Sequence, residues 1–231
     1  AAAAAARVVL TPRLAGRRGA RGRGWYLRYK ERGNEGFRKF NPPRPFDWSE
    51  AGATSRVYFD LAMDGEELGR VEFELADEVC PKTSANFRAL CAADPDGGAY
   101  SYKGTIIHNV IKNATLMGGD VQHRGGSGGH AAGASRFFRD ENFIIPHSHA
   151  GLLSMASCGI DTNNSLYYVT LGPAPHLNGR CVCFGRVAAG ADVVERLADG
   201  VFTRRGRPVQ DVRVVDCGVL EGGGEDQERV A

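Results

Sequence analysis

Period-two alternation begins at Ser55. Val57, Phe59 and Leu61 fall on one face of an extended run, and Val71, Phe73 and Leu75 repeat the pattern after Asp64-Gly65, a dipeptide suited to a tight turn. These runs predict an antiparallel hairpin. From Pro81 the spacing lengthens, so that Phe87, Leu90 and Cys91 share a helical face, and Pro at a first helical turn gives up no needed hydrogen bond. Short strands are then expected over 105–111, 116–121, 151–155, 166–171 and 182–187, a second helix over 191–197 and a closing strand over 209–215. Many short strands, Gly-rich turns and two helices predict a mainly β domain, an eight-stranded antiparallel β-barrel closed on itself and capped by two helices.

Outside 53–221 the pattern fails. Residues 1–52 are rich in Gly, Arg and Pro without apolar periodicity, and 222–231 form a polar tail. Such an arm cannot bury enough apolar surface to offset roughly 1–2 kcal/mol of backbone ordering entropy per residue. A larger partner is therefore expected to supply its contacts. Arg13, Arg17, Arg18, Trp25, Tyr26, Arg28, Tyr29, Phe37, Phe40 and Trp48 are the anchors we expect on that partner.

Charge sharpens this division. Residues 1–40 hold 11 Lys/Arg against 2 Asp/Glu, whereas the remaining chain holds 18 against 25. A basic arm on a mildly acidic globule suits an anionic partner. The interleaving of basic and aromatic residues leaves RNA and protein open as that partner. Residues 1–24 are Ala- and Arg-rich without a single acid, as in mitochondrial or plastid targeting regions. A mitochondrial location is expected, with plastid, nucleus and cilium as alternatives. No stretch approaches the roughly 20 apolar residues of a transmembrane helix. The six cysteines form no CxxC pair and no compact disulfide framework, so free thiols are expected.

Several phrases in this order of elements resemble the cyclophilin family. They are Phe59-Asp60 with Gly69-Arg70-Val71, Pro81-Lys82-Thr83 with Asn86-Phe87-Arg88-Ala89-Leu90, and Gly118-Gly119-Asp120. They continue with Asp140-Glu141-Asn142-Phe143, Leu153-Ser154-Met155-Ala156, Thr162-Asn163 with Ser165, Phe184-Gly185 and Asp216-Cys217-Gly218. The resemblance runs over about residues 55–221, and it implies a catalyst of cis/trans rotation about the bond preceding proline. That barrier, roughly 18–20 kcal/mol, comes from amide resonance. The site must favour a twisted amide, using an apolar slot for the proline ring, a cation aimed at the imide nitrogen and donors to the flanking carbonyls. No metal or other cofactor is needed, and none is expected.

The resemblance also implies where those groups belong. Active members carry an arginine after the histidine matched by His108; this chain has Asn109, which is neutral and shorter. The slot's phenylalanine and methionine walls fall on Ala114 and Thr115, and the carbonyl-gripping glutamine on Met117. The family's asparagine, second glutamine and floor phenylalanine become Ser157, Leu166 and Tyr168, while its flanking tryptophan and rim histidine become His176 and Cys181. Ala156 and Leu177 are unchanged contact residues. No catalytic set is intact, and the rest is a vestigial proline slot in which cyclosporin binding is expected to be weak or absent.

The Gly-rich run over 125–133 lacks the Lys-Ser/Thr of a phosphate loop, and His147-Ser148-His149 has no Cys or carboxylate at ligand spacing, so neither is expected to bind phosphate or metal. The sequence therefore points to a cyclophilin-like accessory or structural subunit of a large assembly, such as a mitochondrial respiratory complex or ribosome, with isomerase activity lost or very weak. Its rivals are an active isomerase with an atypical site and a proline-peptide binding module without turnover.

Overall fold

A computed structural model describes residues 44–95, 99–123 and 125–220 of the chain. Strands β1 (Ser55–Met63) and β2 (Glu66–Leu75) form the expected hairpin. Its turn residues, Asp64 and Gly65, have φ of 52° and 88°, the paired left-handed conformation that matches the twist of two strands joined by two residues. Helix α1 (Pro81–Ala92) follows, then β3 (Asn109–Ile111), β4 (Thr115–Gly118), β5 (Leu152–Met155), β6 (Tyr167–Thr170) and β7 (Cys183–Ala189). The chain continues through helix α2 (Ala191–Gly200), a small hairpin of β8 (Thr203–Arg204) and β9 (Arg207–Pro208), and β10 (Val212–Leu220).

Eight strands make one antiparallel sheet in the order β10-β1-β2-β7-β5-β6-β4-β3. The two edges meet without a continuous ladder. Instead Gly104 N–H donates to the Val214 carbonyl at 2.7 Å, Val214 N–H to Thr105 at 2.9 Å and Ile107 N–H to Val212 at 2.9 Å. The expected strand over 105–111 is thus split: its first half closes the barrel by isolated bonds, and only Asn109–Ile111 pairs with β4.

Inside lies an aromatic core in which Phe59, Phe87, Tyr102, Tyr167 and Phe184 are at most 1% exposed. Phe87 of α1 carries the helix into it, 4.8 Å from Tyr102 and 5.3 Å from Phe184 between ring centroids. No side chain of Cys80 caps α1. The carboxylate of Glu141 does so from across the fold, accepting the N–H groups of Lys82 and Thr83 at 3.0 and 2.9 Å and the Thr83 hydroxyl at 2.9 Å. A negative charge at a helix N-terminus meets both unpaired amides and the helix dipole.

Two boundaries differ from the sequence reading. The closing strand starts at Val212 rather than 209 and runs to Leu220, because Val209 still pairs with Phe202 below the small hairpin. The domain also begins before 53: Phe46 and Trp48 pack on a second cluster of Ala51, Ala76, Ile145, Leu152 and Cys183. Trp48, expected as an anchor on a partner, rests on its own barrel. It lies edge-to-face with Phe46 at 5.5 Å, with the Arg186 guanidinium 4.8 Å from its ring centroid. The other expected anchors, Arg13, Arg17, Arg18, Trp25, Tyr26, Arg28, Tyr29, Phe37 and Phe40, lie outside the described residues, as does the 222–231 tail.

Candidate functional site

Because side chains alternate across a strand, every second residue of β3, β4, β6 and β5 faces away from the aromatic core. The register aligns Asn109 with Met117, Met117 with Tyr168, and Tyr168 with Ser154. The alternate row, Val110, Leu116, Val169 and Leu153, is buried inside. The outer row is therefore a strip of carboxamide, thioether, phenol and hydroxyl, with no charged group in it.

The second wall comes from two loops held against this strip. Met155 N–H donates to Val182 and Ala156 N–H to Leu166, both at 2.9 Å, and Cys181 N–H donates to Leu177 at 3.0 Å across the short 3-10 turn Pro175–Leu177. Ser157 Oγ reaches the Arg180 carbonyl at 3.5 Å. Ala156, Leu166 and Cys181 are buried, Ser157, Tyr168 and Leu177 half-buried, and His176 exposed. Burial first, then the neighbouring Cys181 and Cys158 thiols, raise the Tyr168 hydroxyl above the ordinary range, so it remains a protonated phenol. Burial likewise raises the Cys181 thiol. Ala114 sits at the β3–β4 turn, its carbonyl accepting from Leu171 at 2.8 Å, and Thr115 is buried beside Ile111 and Thr170.

The structure therefore gathers Asn109, Met117, Tyr168, Ala156, Ser157, Leu177 and Cys181 around one face. Leu166 is 5% exposed, its side chain taken up in packing. His108 does not join them. It is 8% exposed, adjoins a cavity of about 270 Å³ shared with Arg207 and Asp211, and among the described residues has no side-chain hydrogen-bond partner at either ring nitrogen. Gly126, at φ 86°, covers it so closely that an added Cβ would fall 2.6 Å from Nε2. Desolvation is the main cause that lowers the His108 pKa, so the ring stays neutral at ordinary pH.

Two supports beneath the site carried no local signal in the sequence. Ser154 Oγ lies 2.8 Å from His147 Nε2, and His147 Nδ1 lies 2.9 Å from Asn178 Oδ1. With Nδ1–H donating to the Asn178 carbonyl oxygen, Nε2 is left as an acceptor that shares the one Ser154 hydroxyl proton with the Val182 carbonyl at 3.1 Å, so the ring ties β5 to the 174–181 loop. Burial first, then the nearby His176, lowers its pKa against the Asn178 hydrogen bond. Both nitrogens are occupied in this way, so His147 is not free for a metal. The second support is Asp120, which is fully buried. Its carboxylate accepts from the N–H groups of Gln122, His123, Gly125, Gly126 and Gly128 at 2.7–3.1 Å. Burial pushes its pKa up, but these donors outweigh it and hold the group at about 2. The Gly-rich amides thus serve an internal anion, and the strand expected over 116–121 ends at Gly118 as the chain turns to wrap it.

Residues 58–219 match the family model described as cyclophilin type peptidyl-prolyl cis-trans isomerase/CLD. The NK-tumor recognition proteins of Mus musculus and Homo sapiens are each 42% identical to the chain over 176 residues, covering 73% of it and 12% of their own length. Peptidyl-prolyl cis-trans isomerase cyp11 of Rhizopus delemar is 42% identical over 170 residues, 71% of this chain and 50% of that protein. The chain thus spans half or less of the length of these relatives.

Proposed function

The chain belongs to the cyclophilin-type peptidyl-prolyl cis-trans isomerase family, and from that premise we propose that it serves as a cyclophilin-like accessory subunit of a large assembly, with isomerase activity lost or very weak. The observation that carries this reading is the uncharged row Asn109–Met117–Tyr168 where the imide donor and the carbonyl grip belong. Isomerisation needs a group that is stronger for the twisted amide than for the planar one. A neutral carboxamide offers about half of what a charged donor does, and a thioether offers the substrate carbonyl no donor at all. One missing transition-state donor typically costs about 2.7–4 kcal/mol, or 100- to 1000-fold in rate.

Turnover of a proline tetrapeptide by the full chain tests the catalytic half of this reading. A rate indistinguishable from the uncatalysed one is expected; a rate within tenfold of an ordinary cyclophilin overturns it. The assembly half rests on the surplus of basic and aromatic residues in 1–40, and a mitochondrial respiratory complex or ribosome is the class of partner it suits. Sedimentation of the native protein with a megadalton particle is expected, and recovery of the chain as a free monomer from an organelle lysate counts against it.

Partly exposed Met117, Tyr168 and Leu177 favour a second reading, binding of proline peptides without turnover. Shifts in the Tyr168 ring resonances on adding such peptides would support it, and their absence at millimolar peptide would exclude it.

A further inference from the structure

The β8–β9 hairpin is an unusual concentration of charge. Arg204 and Arg207 face each other directly across its two strands, and Arg205 with Gly206 forms the turn between them. Like charges in directly opposed positions destabilise a strand pair. Arg205 also occupies φ 54°, a left-handed conformation that side-chain-bearing residues other than Asn and Asp seldom adopt. All three guanidinium groups are exposed, and among the described residues no carboxylate lies within ion-pair distance of any of them. The nearby Asp211 is committed to Arg213 at 2.7 Å. This +3 cluster stands on a globule whose residues 41–231 are otherwise acidic. Packing does not explain it, since the hairpin tip buries none of the three.

Beside the charges lies an exposed apolar pair. Val209 N–H donates to the Phe202 carbonyl at 2.8 Å, and the two side chains are 71% and 75% exposed. Phe202 N–H is fixed by the Gln210 side-chain oxygen at 3.0 Å, which holds the backbone that presents the ring. Guanidinium groups in a row beside an open aromatic face are the two elements that bind a single nucleic-acid strand, with the charges following the phosphates and the ring stacking on a base. We infer that the β8–β9 hairpin is a docking site for single-stranded RNA. The hairpin adjoins the proline slot at its turn, where Gly206 lies against Asn109, but its arginines and Phe202 are not slot residues and the inference does not depend on whether that slot turns over.

Fluorescence anisotropy of a labelled uridine oligomer with the full chain, through a salt titration, tests it. The basic arm is present in parent and variants alike, so differences report the hairpin. Replacing Arg204, Arg205 and Arg207 together by Gln should make the slope of log K against log salt shallower by about 2, at roughly 0.7 for each single-strand phosphate no longer neutralised. Phe202→Ala should weaken binding about fivefold or more with the slope unchanged. Matching thermal unfolding curves establish that the variants are folded. A triple variant with the parent's slope overturns the inference. A triple variant that keeps the oligomer slope and loses affinity for a polyglutamate peptide overturns it in favour of an acidic protein surface. A Phe202→Ala variant as tight as the parent also overturns it, since the hairpin would then be an unselective cation.

Discussion

Asn109 stands directly opposite Met117 in the β3–β4 ladder, and its carboxamide lies 3.2 Å from where a Cβ on Gly206 would be. The double substitution Asn109→Arg, Met117→Gln places a cation and a carbonyl donor on neighbouring strands. We expect it to raise isomerisation about 100-fold above the parent, the worth of one restored transition-state donor. Asn109→Ala in the parent should leave the rate at background, and both are read in the same peptide assay.

The Asp120 carboxylate organises the loop behind the site. Its pKa of about 2 lies below the ordinary 3.8, so the unfolded chain takes up a proton first as pH falls. The stabilisation it gives is complete above pH 3.8 and is lost as pH falls toward 2, a contribution of about 2 kcal/mol. Asp120→Asn should lower unfolding free energy by at least that much at neutral pH, measured by urea denaturation, and should flatten the acid limb of the pH profile.

A second pH dependence comes from His147 and His108, whose pKa values both lie below 6.5 in the folded protein. Among the described residues His147 faces Ser154, Asn178 and His176, none of them a carboxylate, whereas His108 faces Asp120 and Arg207. Burial dominates both shifts. Their stabilisation is complete above 6.5 and is lost as pH falls below it. Thermal midpoints should therefore drop between neutral and mildly acidic buffer. His147→Ala should remove part of this slope and cost about 1 kcal/mol or more by deleting the ring that joins Ser154 to Asn178, although Ser154 keeps the Val182 carbonyl and Asn178 the backbone N–H of residue 147.

Of the six thiols only Cys158 is exposed. Cys80 is pushed up to about 12, chiefly by burial, and Cys91, Cys181 and Cys183 are likewise raised by burial. Because the thiolate is the reactive form, brief treatment of the native protein with iodoacetamide should label Cys158 before any other, with the remaining five appearing on mass spectrometry only after denaturation.

Trp48 offers a test of where the domain begins. Its interactions with Phe46, the second cluster and Arg186 are internal. Trp48→Ala should cost about 2 kcal/mol in urea unfolding, from the apolar burial and the cation–π pairing it removes. A residue projecting toward a partner would cost next to nothing.

Much of the fold was legible because its causes are local. Alternation from Val57 to Leu75 sets which face of the first hairpin is buried, Pro81 starts a helix, and Asp64-Gly65 can turn where larger residues cannot. Strand ends were less legible because distant groups fix them: Asp120 pulls the chain out of β4 after Gly118, and Val209 stays with Phe202 rather than joining β10. The site divides in the same way. That Asn109 is neutral and Met117 carries no donor can be read from residue types alone, and the ladder register then sets them side by side. His108 is adjacent in sequence yet faces another cavity, since neighbouring residues of an extended chain point to opposite sides.

Periodicity and side-chain identity act over a few residues, so the amino-acid order already carried the barrel's strand content, most of its core-facing positions and the residue types along the proposed slot. Tertiary structure alone decided that Glu141 caps α1, that His147 joins Ser154 to Asn178, that Trp48 belongs to the barrel and that three arginines share one exposed hairpin beside Phe202. Each of these depends on groups far apart in the chain or on what surrounds them after folding, where burial and unpaired charge first acquire an energy.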